Sequence, residues 1–181
     1  MNDSTDGGEP FPEVCDPVSG ARWRGRLWDN PGLGWAPRLD WYLRIPGWPD
    51  GSSWVNVMID GIPLDVPSWR ALEGAQVECT EFGEPIEATA YVGYHNGFDY
   101  VRIHVLRQAG AWARFDIELG GCESDRLELR EGEIIETGWL SAIVDAEFEG
   151  IEPAADRELT EFTETGGLVF DEDAGLYKPA A

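Results

Sequence analysis

Residues 98–119 read FDYVRIHVLRQAGAWARFDIEL, and their side chains alternate between apolar and polar on both sides of a break at residues 108–110. In the first arm Val101, Ile103 and Val105 fall on one face of an extended chain, and in the second arm Phe115 and Ile117 do the same. This period of two indicates a half-buried strand, because successive side chains of a strand point to opposite faces. The stretch therefore predicts two neighbouring strands with one face in a hydrophobic core.

Turn residues divide the rest of the chain into short segments of the same kind. Asp60-Gly61 and Asn96-Gly97 are dipeptides typical of two-residue hairpin turns, so each predicts a hairpin, the first leading into residues 62–66. Short helices are predicted only over residues 67–72 and 153–162. The pattern indicates an all-β, mainly antiparallel fold: a β-sandwich or a partly open barrel with one or two short helices.

The predicted domain organisation is simple, because a chain of 181 residues fits one domain. Residues 1–20 are rich in Asp, Gly and Pro and predict a flexible acidic arm. Residues 21–170 predict a single β-rich domain, and residues 171–181 predict a frayed acidic C-terminal tail.

The charge of the chain restricts its partners. It carries 35 Asp and Glu against 13 Lys and Arg, a formal net charge of -22 at pH 7. Such a field repels nucleic acid and anionic membranes, since phosphate neutralisation by Lys and Arg supplies most non-specific DNA affinity. An acidic surface suits a basic protein partner instead. Adaptation to high salt, which screens repulsion between the acids, is the alternative explanation of the same composition.

The acids concentrate in the second half of the chain: residues 1–70 contribute about -4 to the net charge and residues 71–181 about -18. The predicted partner-binding residues are Glu131, Glu133, Glu136, Asp145, Glu147 and Glu149. On a strand, the last three of these would form one row of carboxylates. The leading hypothesis is a non-enzymatic acidic binding protein that occupies a basic groove of a partner protein, as inhibitors and immunity proteins do. A solvated sheet face is the alternative.

Aromatic residues and arginines suggest two other kinds of site. Arg22, Arg24 and Arg26 interleave with Trp23 and Trp28, as in platforms that bind single-stranded nucleic acid. The net charge favours arginines that pair with the protein's own carboxylates, with Trp23 packed inward. An alternative function is a small-ligand or carbohydrate-binding β-sandwich. Its predicted ligand-binding residues are Trp48, Trp54, Trp69, Arg102 and His104.

No catalytic signature occurs in the sequence, so the interpretation leans away from an enzyme; a hydrolase with an unrecognised site is a further alternative. The two His and three Cys show no zinc spacing, and neither a dinucleotide-binding pattern nor a P-loop is present. No metal or cofactor is therefore predicted. Cys15, Cys79 and Cys122 are expected to be reduced thiols of a cytoplasmic protein, with a Cys79–Cys122 disulfide left open.

Overall fold

The computed structural model describes residues 20–29, 32, 34, 36–47, 56–81, 85–91, 95–121, 127–130, 133–135, 139–155 and 157–180, with the backbone alone for 127–130 and 133–135. Its strands are β1 (Arg22–Trp28), β2 (Arg38–Ile45), β3 (Asn56–Ile62), β4 (Gln76–Cys79), β5 (Glu87–Tyr91), β6 (His95–Phe98), β7 (Tyr100–Ala109), β8 (Trp112–Gly120), β9 (Leu127–Arg130), β10 (Glu133–Ile135), β11 (Leu140–Glu152), β12 (Leu168–Asp171) and β13 (Leu176–Pro179).

One mixed sheet contains eleven of these strands. Its main path runs in the order β4-β7-β8-β11-β1-β2-β3-β5-β6, and the β12–β13 hairpin joins it where β13 pairs with β11. Strand β1 pairs with β11 in parallel, whereas the other pairings are antiparallel. Strands β9 and β10 form a separate hairpin. The sheet is not closed into a barrel, and the predicted all-β, mainly antiparallel fold is confirmed.

The alternation in residues 98–119 produces the expected pair of strands. In β7, Val101, Ile103 and Val105 are at most 1% exposed, and in β8, Phe115 and Ile117 are at most 2% exposed. The two strands pair with these apolar residues opposite one another, so their polar neighbours stand together on the outer face. Burial of one face therefore fixes the register of this hairpin.

A single hydrophobic core lies between the two wings of the sheet. Ile103 and Ile117 from the wing of β4, β7 and β8 belong to the same cluster as Leu43 and Ile59 from the wing of β2, β3 and β5. The sheet therefore folds over on itself, as in a sandwich. Only Asp99 separates β6, at one edge, from β7, near the other edge, so the chain passes directly between the wings at this residue.

Aromatic side chains fill the centre of this core where β1, β2 and β11 meet. The ring centroid of Phe148 lies 4.4 Å from that of Trp23, and Trp69 stacks on Phe148 at 4.7 Å with an interplanar angle of 13°. Trp41 lies 5.3 Å from Trp23. All four side chains are at most 4% exposed, so these tryptophans stabilise the fold.

The Asp60-Gly61 dipeptide does not form the predicted hairpin turn. Strand β3 runs through it, and pairing with β2 continues beyond it, with Trp41 opposite Ile62. Two residues of β3 therefore face Tyr42, which makes the dipeptide a β-bulge. Gly61 has a φ of 71°. Because bulges and hairpin turns both use glycine for positive φ, the local sequence does not distinguish them.

The hairpin expected at Asn96-Gly97 is displaced along the chain. Tyr91 of β5 pairs with His95 of β6, so the dipeptide lies inside β6 instead of in the turn. Asn96 is buried, and its Nδ2 donates to the carbonyl oxygen of Ala90 at 3.3 Å. The predicted second arm, β7, pairs with β4 and β8 and not with β5.

No α-helix occurs among the described residues, so the two helix predictions are wrong. Residues 67–72 instead hydrogen bond to distant segments: Glu164 donates its N–H to Pro67, and Leu72 donates its N–H to Gln108 Oε1. Within residues 153–162, the helical content is the single 3-10 turn Leu159–Glu161. Among all the residues that the structure describes, no helix is long and apolar enough to cross a membrane.

The C-terminal segment forms a hairpin instead of the predicted frayed tail. Strands β12 and β13 pair with each other, and Tyr177 of β13 pairs with Ile151 of β11. Lys178 makes an ion pair of 2.8 Å with Asp171 across this hairpin. The ordered domain therefore extends past residue 170. The predicted arm, residues 1–20, lies outside the described residues except for Gly20.

Candidate functional site

Asp145 is buried in an ion pair and is not part of an exposed acidic row. It lies on β11 directly opposite Arg114 of β8, and both side chains are at most 8% exposed. Arg114 donates from Nε to Oδ1 of Asp145 at 2.7 Å and from Nη2 to Oδ2 at 2.9 Å. This bidentate pairing occupies both carboxylate oxygens, so Asp145 does not present its charge to a partner.

The remaining predicted partner-binding residues are not gathered into one exposed row by the described structure. Glu147 lies 3.3 Å from Arg22 of β1, and Glu149 is partly buried on the same strand. Glu133 begins β10, where the backbone alone is described. Glu131 and Glu136 lie outside the described residues.

The arginines of β1 pair with the protein's own carboxylates, as the net charge of the chain predicts. Arg26 donates to Glu152 at 2.8 Å, and Arg24 lies 3.9 Å from the same carboxylate. The guanidinium of Arg24 lies 4.8 Å from the ring centroid of Tyr42, and that of Arg26 lies 5.1 Å from the ring of Trp28. Such contacts are cation–π interactions. On this face of β1, Arg24 and Arg26 therefore already contact acidic and aromatic side chains of the same chain.

Asp60 extends this charged face onto β3. Burial raises the pKa of its carboxyl above the usual value, and the negative charge of Glu87 adds to this effect. The positive charges of Arg26 and Arg24 act in the opposite direction without cancelling it. The ionised carboxylate of Asp60 is therefore disfavoured by folding.

Arg102 and His104 lie together on the outer face of β7, as the alternation predicts. Arg102 donates to Asp116 at 3.1 Å and to Glu118 at 2.9 Å, and the hydrogen bond to Glu118 is the main cause that raises the pKa of this arginine. His104 pairs in register with Asp116 of β8. The charge of Arg102 is therefore satisfied within the sheet, which leaves little of it for an anionic ligand.

Trp69 is part of the core and cannot offer a ring face to a ligand. It is 2% exposed, stacks on Phe148, and donates from Nε1 to the carbonyl oxygen of Gly166 at 3.4 Å. Trp48 and Trp54, the other tryptophans of the predicted ligand site, lie outside the described residues. The predicted tryptophan site thus loses one of its three rings to the core.

Two aromatic residues that were not predicted as a site, the exposed Trp139 and the partly buried Tyr100, lie on the outer face beside Arg102. Trp139, just before β11, is 47% exposed, and its ring centroid lies 5.3 Å from that of Tyr100 with an interplanar angle of 48°. Gly120 of β8 lies beneath the indole, and a Cβ there would come within 2.5 Å of the ring. Strand pairing places Gly120 directly opposite Tyr100. We call Tyr100 and Trp139 the aromatic pair.

Carboxylates surround the phenol of the aromatic pair. Partial burial, followed by the negative charges of Glu78 and Glu118, raises the pKa of Tyr100, and a side-chain hydrogen bond with Glu78 contributes in the same direction. Arg102 opposes this shift. The local field is therefore negative despite the arginine.

Among the described residues, most acids fall into two groups, and Asp60 and Glu149, which are partly buried and in none of the ion pairs, belong to neither. Those in ion pairs are buried or partly buried: Asp29, Asp40, Asp116, Glu118, Asp145, Glu147, Glu152 and Asp171. The exposed acids are absent from these ion pairs: Asp65, Glu73, Glu78, Glu81, Glu87, Asp99, Glu158, Glu161, Glu164, Glu172 and Asp173. Among the described residues, exposed acids therefore outnumber the exposed arginines that are absent from these ion pairs, which are Arg44, Arg70 and Arg107.

Four of the exposed acids lie on two chain segments that a bridge joins. Glu161 ends the 3-10 turn Leu159–Glu161, whose Leu159 is buried in the core, and Glu158 and Glu164 lie on either side of this turn. Ser68 forms a bridge with Glu164, which brings the segment containing Asp65 alongside. We call Asp65, Glu158, Glu161 and Glu164 the acidic end.

Cys79 is the one cysteine among the described residues. Cys79 is buried in β4, and its Sγ donates to the carbonyl oxygen of Glu81 at 3.2 Å. Cys15 and Cys122 lie outside the described residues. Within those residues, no three His, Cys, Asp or Glu side chains gather closely enough to hold a metal ion.

Comparison with protein-family models, with curated proteins and with solved structures gives no significant match to this chain.

Proposed function

We propose that this protein is a non-enzymatic acidic binding protein that occupies a basic groove of a partner protein, as an inhibitor or an immunity-type protein does. One observation carries the proposal: most of the described basic side chains are in ion pairs with carboxylates of the same chain, and the exposed acids of the described residues take part in none of these pairs. A surface of this kind attracts a basic partner over long range and repels acidic ones.

The use of arginine supports this function more than the composition alone does. The ion-paired basic residues are Arg22, Arg24, Arg26, Arg38, Arg102, Arg114, Arg157 and Lys178. In each of these pairs the positive charge is compensated by a carboxylate of the same chain, so it does not offset the charge of the exposed acids locally. The remaining carboxylates then supply the field that a partner meets.

The scaffold also suits recognition by a fixed surface. Strands β7, β8 and β11 pair over long stretches, and their apolar faces belong to one core. The backbone of such a sheet is fixed before binding, so binding does not have to order it, which lowers the entropic cost of association.

The test is affinity capture from the native extract at low and at high salt, followed by calorimetry with the purified captured protein. The proposal expects a basic protein whose association constant falls as the salt concentration rises, because exposed charge pairs are screened. Failure to retain a basic protein, or retention that salt does not alter, would contradict the proposal.

Matched variants assign the interaction to surface charge. Glu158→Gln combined with Glu161→Gln removes two exposed charges at the acidic end, and Glu172→Gln combined with Asp173→Asn removes two from the turn between β12 and β13. If one face makes the contact, one double variant weakens binding more than the other. Equal and negligible effects, together with unchanged binding after neutralising the remaining exposed acids, would exclude a charge-driven interface.

A further inference from the structure

We infer that the aromatic pair, Tyr100 and Trp139, is the anchor point for a cationic side chain, an arginine or a lysine, of the basic partner. This inference rests on the proposed function and names the place where the acidic protein holds its partner. Tyrosine and tryptophan are the residues that most often dominate binding energy at protein interfaces.

The two rings of the pair lie side by side on the outer face of the sheet. Their centroids are 5.3 Å apart and their planes are inclined by 48° to each other. Gly120 leaves room for the indole to lie against the backbone of β8. Trp139 is nevertheless 47% exposed, which is unusual for so large an apolar side chain. The rings are thus held in place while part of their surface faces solvent.

The charge around the pair selects a cation. Glu78 of β4 and Glu118 of β8 both lie opposite Arg102, next to Tyr100, and of the described positive charges Arg102 is the one whose field acts on Tyr100. Arg102 is itself held by Glu118 and Asp116. A cation over an aromatic face flanked by carboxylates gains from both the ring and the negative field.

Contacts between arginine and aromatic rings already occur within the chain and resemble the contact inferred for the aromatic pair. Arg26 covers the ring of Trp28, and Arg24 covers the ring of Tyr42. Among the described residues, no Arg or Lys lies over Trp139 or Tyr100 in this way. The aromatic pair therefore offers to a partner the contact that β1 makes within the chain.

The experiment titrates the full chain with a hexa-arginine peptide and with its neutral citrulline analogue. NMR follows the indole Nε1–H resonance of Trp139, identified by its loss in Trp139→Phe, and calorimetry gives the dissociation constant at several salt concentrations. The Trp139 resonance is expected to shift with the arginine peptide and to stay in place with the citrulline peptide. A shift with both peptides, or with neither, would overturn the inference.

Variants separate the ring contact from the general field. Trp139→Ala is expected to weaken binding about two- to five-fold with an unchanged salt dependence, since a cation–π contact at an exposed site has this size. Trp139→Phe, which keeps a ring, should retain most of the affinity. Glu78→Gln, which keeps both rings, should weaken binding and reduce its salt dependence. Trp28→Ala is the matched control, and its affinity should equal that of the unmodified protein. Circular dichroism confirms that each variant is folded.

The outcomes distinguish the two proposals. Salt-dependent binding of hexa-arginine that is equal in Trp139→Ala, Trp28→Ala and the unmodified protein would refute the anchor and leave the proposed function standing. Failure to capture any basic partner from the native extract would refute the proposed function itself. A loss in Trp139→Ala that Trp139→Phe restores supports the anchor.

Discussion

Replacement of Trp69 by alanine is the most informative single change, because it separates a core tryptophan from a ligand-binding one. Trp69 is 2% exposed and stacks on Phe148 at 4.7 Å. It also joins two distant segments, since its Nε1 donates to Gly166. A Trp69→Ala variant removes all of these contacts at once and leaves a cavity at the centre of the aromatic cluster.

The expected loss of unfolding free energy is large. Truncation of a buried Phe or Trp to Ala costs about 3–5 kcal/mol, and the ring stacking places Trp69 in the upper part of this range. The hydrogen bond to Gly166 adds little, because its length of 3.4 Å is near the limit for such a bond. Total stabilities of about 5–15 kcal/mol mean that the variant keeps only part of its folding free energy.

Urea unfolding followed by far-ultraviolet circular dichroism measures this loss without relying on tryptophan fluorescence. Trp139→Ala is the matched control, and its loss should stay below about 1 kcal/mol because Trp139 is 47% exposed. A loss below about 1 kcal/mol for Trp69→Ala, or equal losses in the two variants, would refute the assignment of Trp69 to the core.

Three further predictions test the packing and charge of the sheet. Asp145→Ala should lower the unfolding free energy by about 3–5 kcal/mol in urea titrations, and a double change to Met at Arg114 and Leu at Asp145 should recover most of it, because the buried ion pair is costly mainly when broken. Gly61→Ala should cost about 1–3 kcal/mol by thermal unfolding, since its φ is 71° and a backbone oxygen lies 2.6 Å from the added Cβ; Gly74→Ala, with positive φ but open space, should cost less. Burial raises the pKa of Asp60, so above its ordinary pKa of 3.8 this carboxyl holds its proton more strongly in the folded state than in the unfolded state, and its contribution to stability falls as the pH rises from 3.8 through the folded-state pKa. The stability of Asp60→Asn relative to the unmodified protein should therefore increase between pH 3.5 and 7 in denaturant titrations; an equal difference at both pH values would contradict the shift.

The alternation of apolar and polar residues was sufficient to predict β7 and β8 and to predict which of their side chains are buried. Val101, Ile103 and Val105 are buried as predicted, and so are Phe115 and Ile117. A period of two survives tertiary folding because the solvent-facing and core-facing sides of a strand are fixed once one row is buried.

Turn chemistry was a weaker guide to which strands pair. Asp60-Gly61 is a bulge within β3, and Asn96-Gly97 lies inside β6. Glycine at either dipeptide permits more than one backbone geometry, and the neighbours of β3 and β5 across the sheet decide between them. The parallel pairing of β1 with β11 joins residues more than a hundred positions apart and has no local signal.

Some features of the candidate site could be predicted from the sequence, and others depend on how the strands pair. The strand period alone places Arg102 and His104 on one outer face, and the charge pattern alone favours self-pairing of the arginines in β1. The burial of Asp145 against Arg114 depends on the register of β8 with β11, which the sequence does not encode locally. The aromatic pair has no local sequence signal, because Trp139 and Tyr100 are far apart in the chain. Their rings come together because Trp139 lies over Gly120, which pairs with Tyr100.

By itself the sequence determined the all-β class, the inward rows of the strands and the strongly negative charge, because each follows from local side-chain period or from composition. Tertiary structure alone decided which acids are neutralised, which tryptophans are buried and which two rings stand together on the surface. These properties depend on strand order and register, and the free energy that selects them comes from burying one shared core, to which distant segments contribute together.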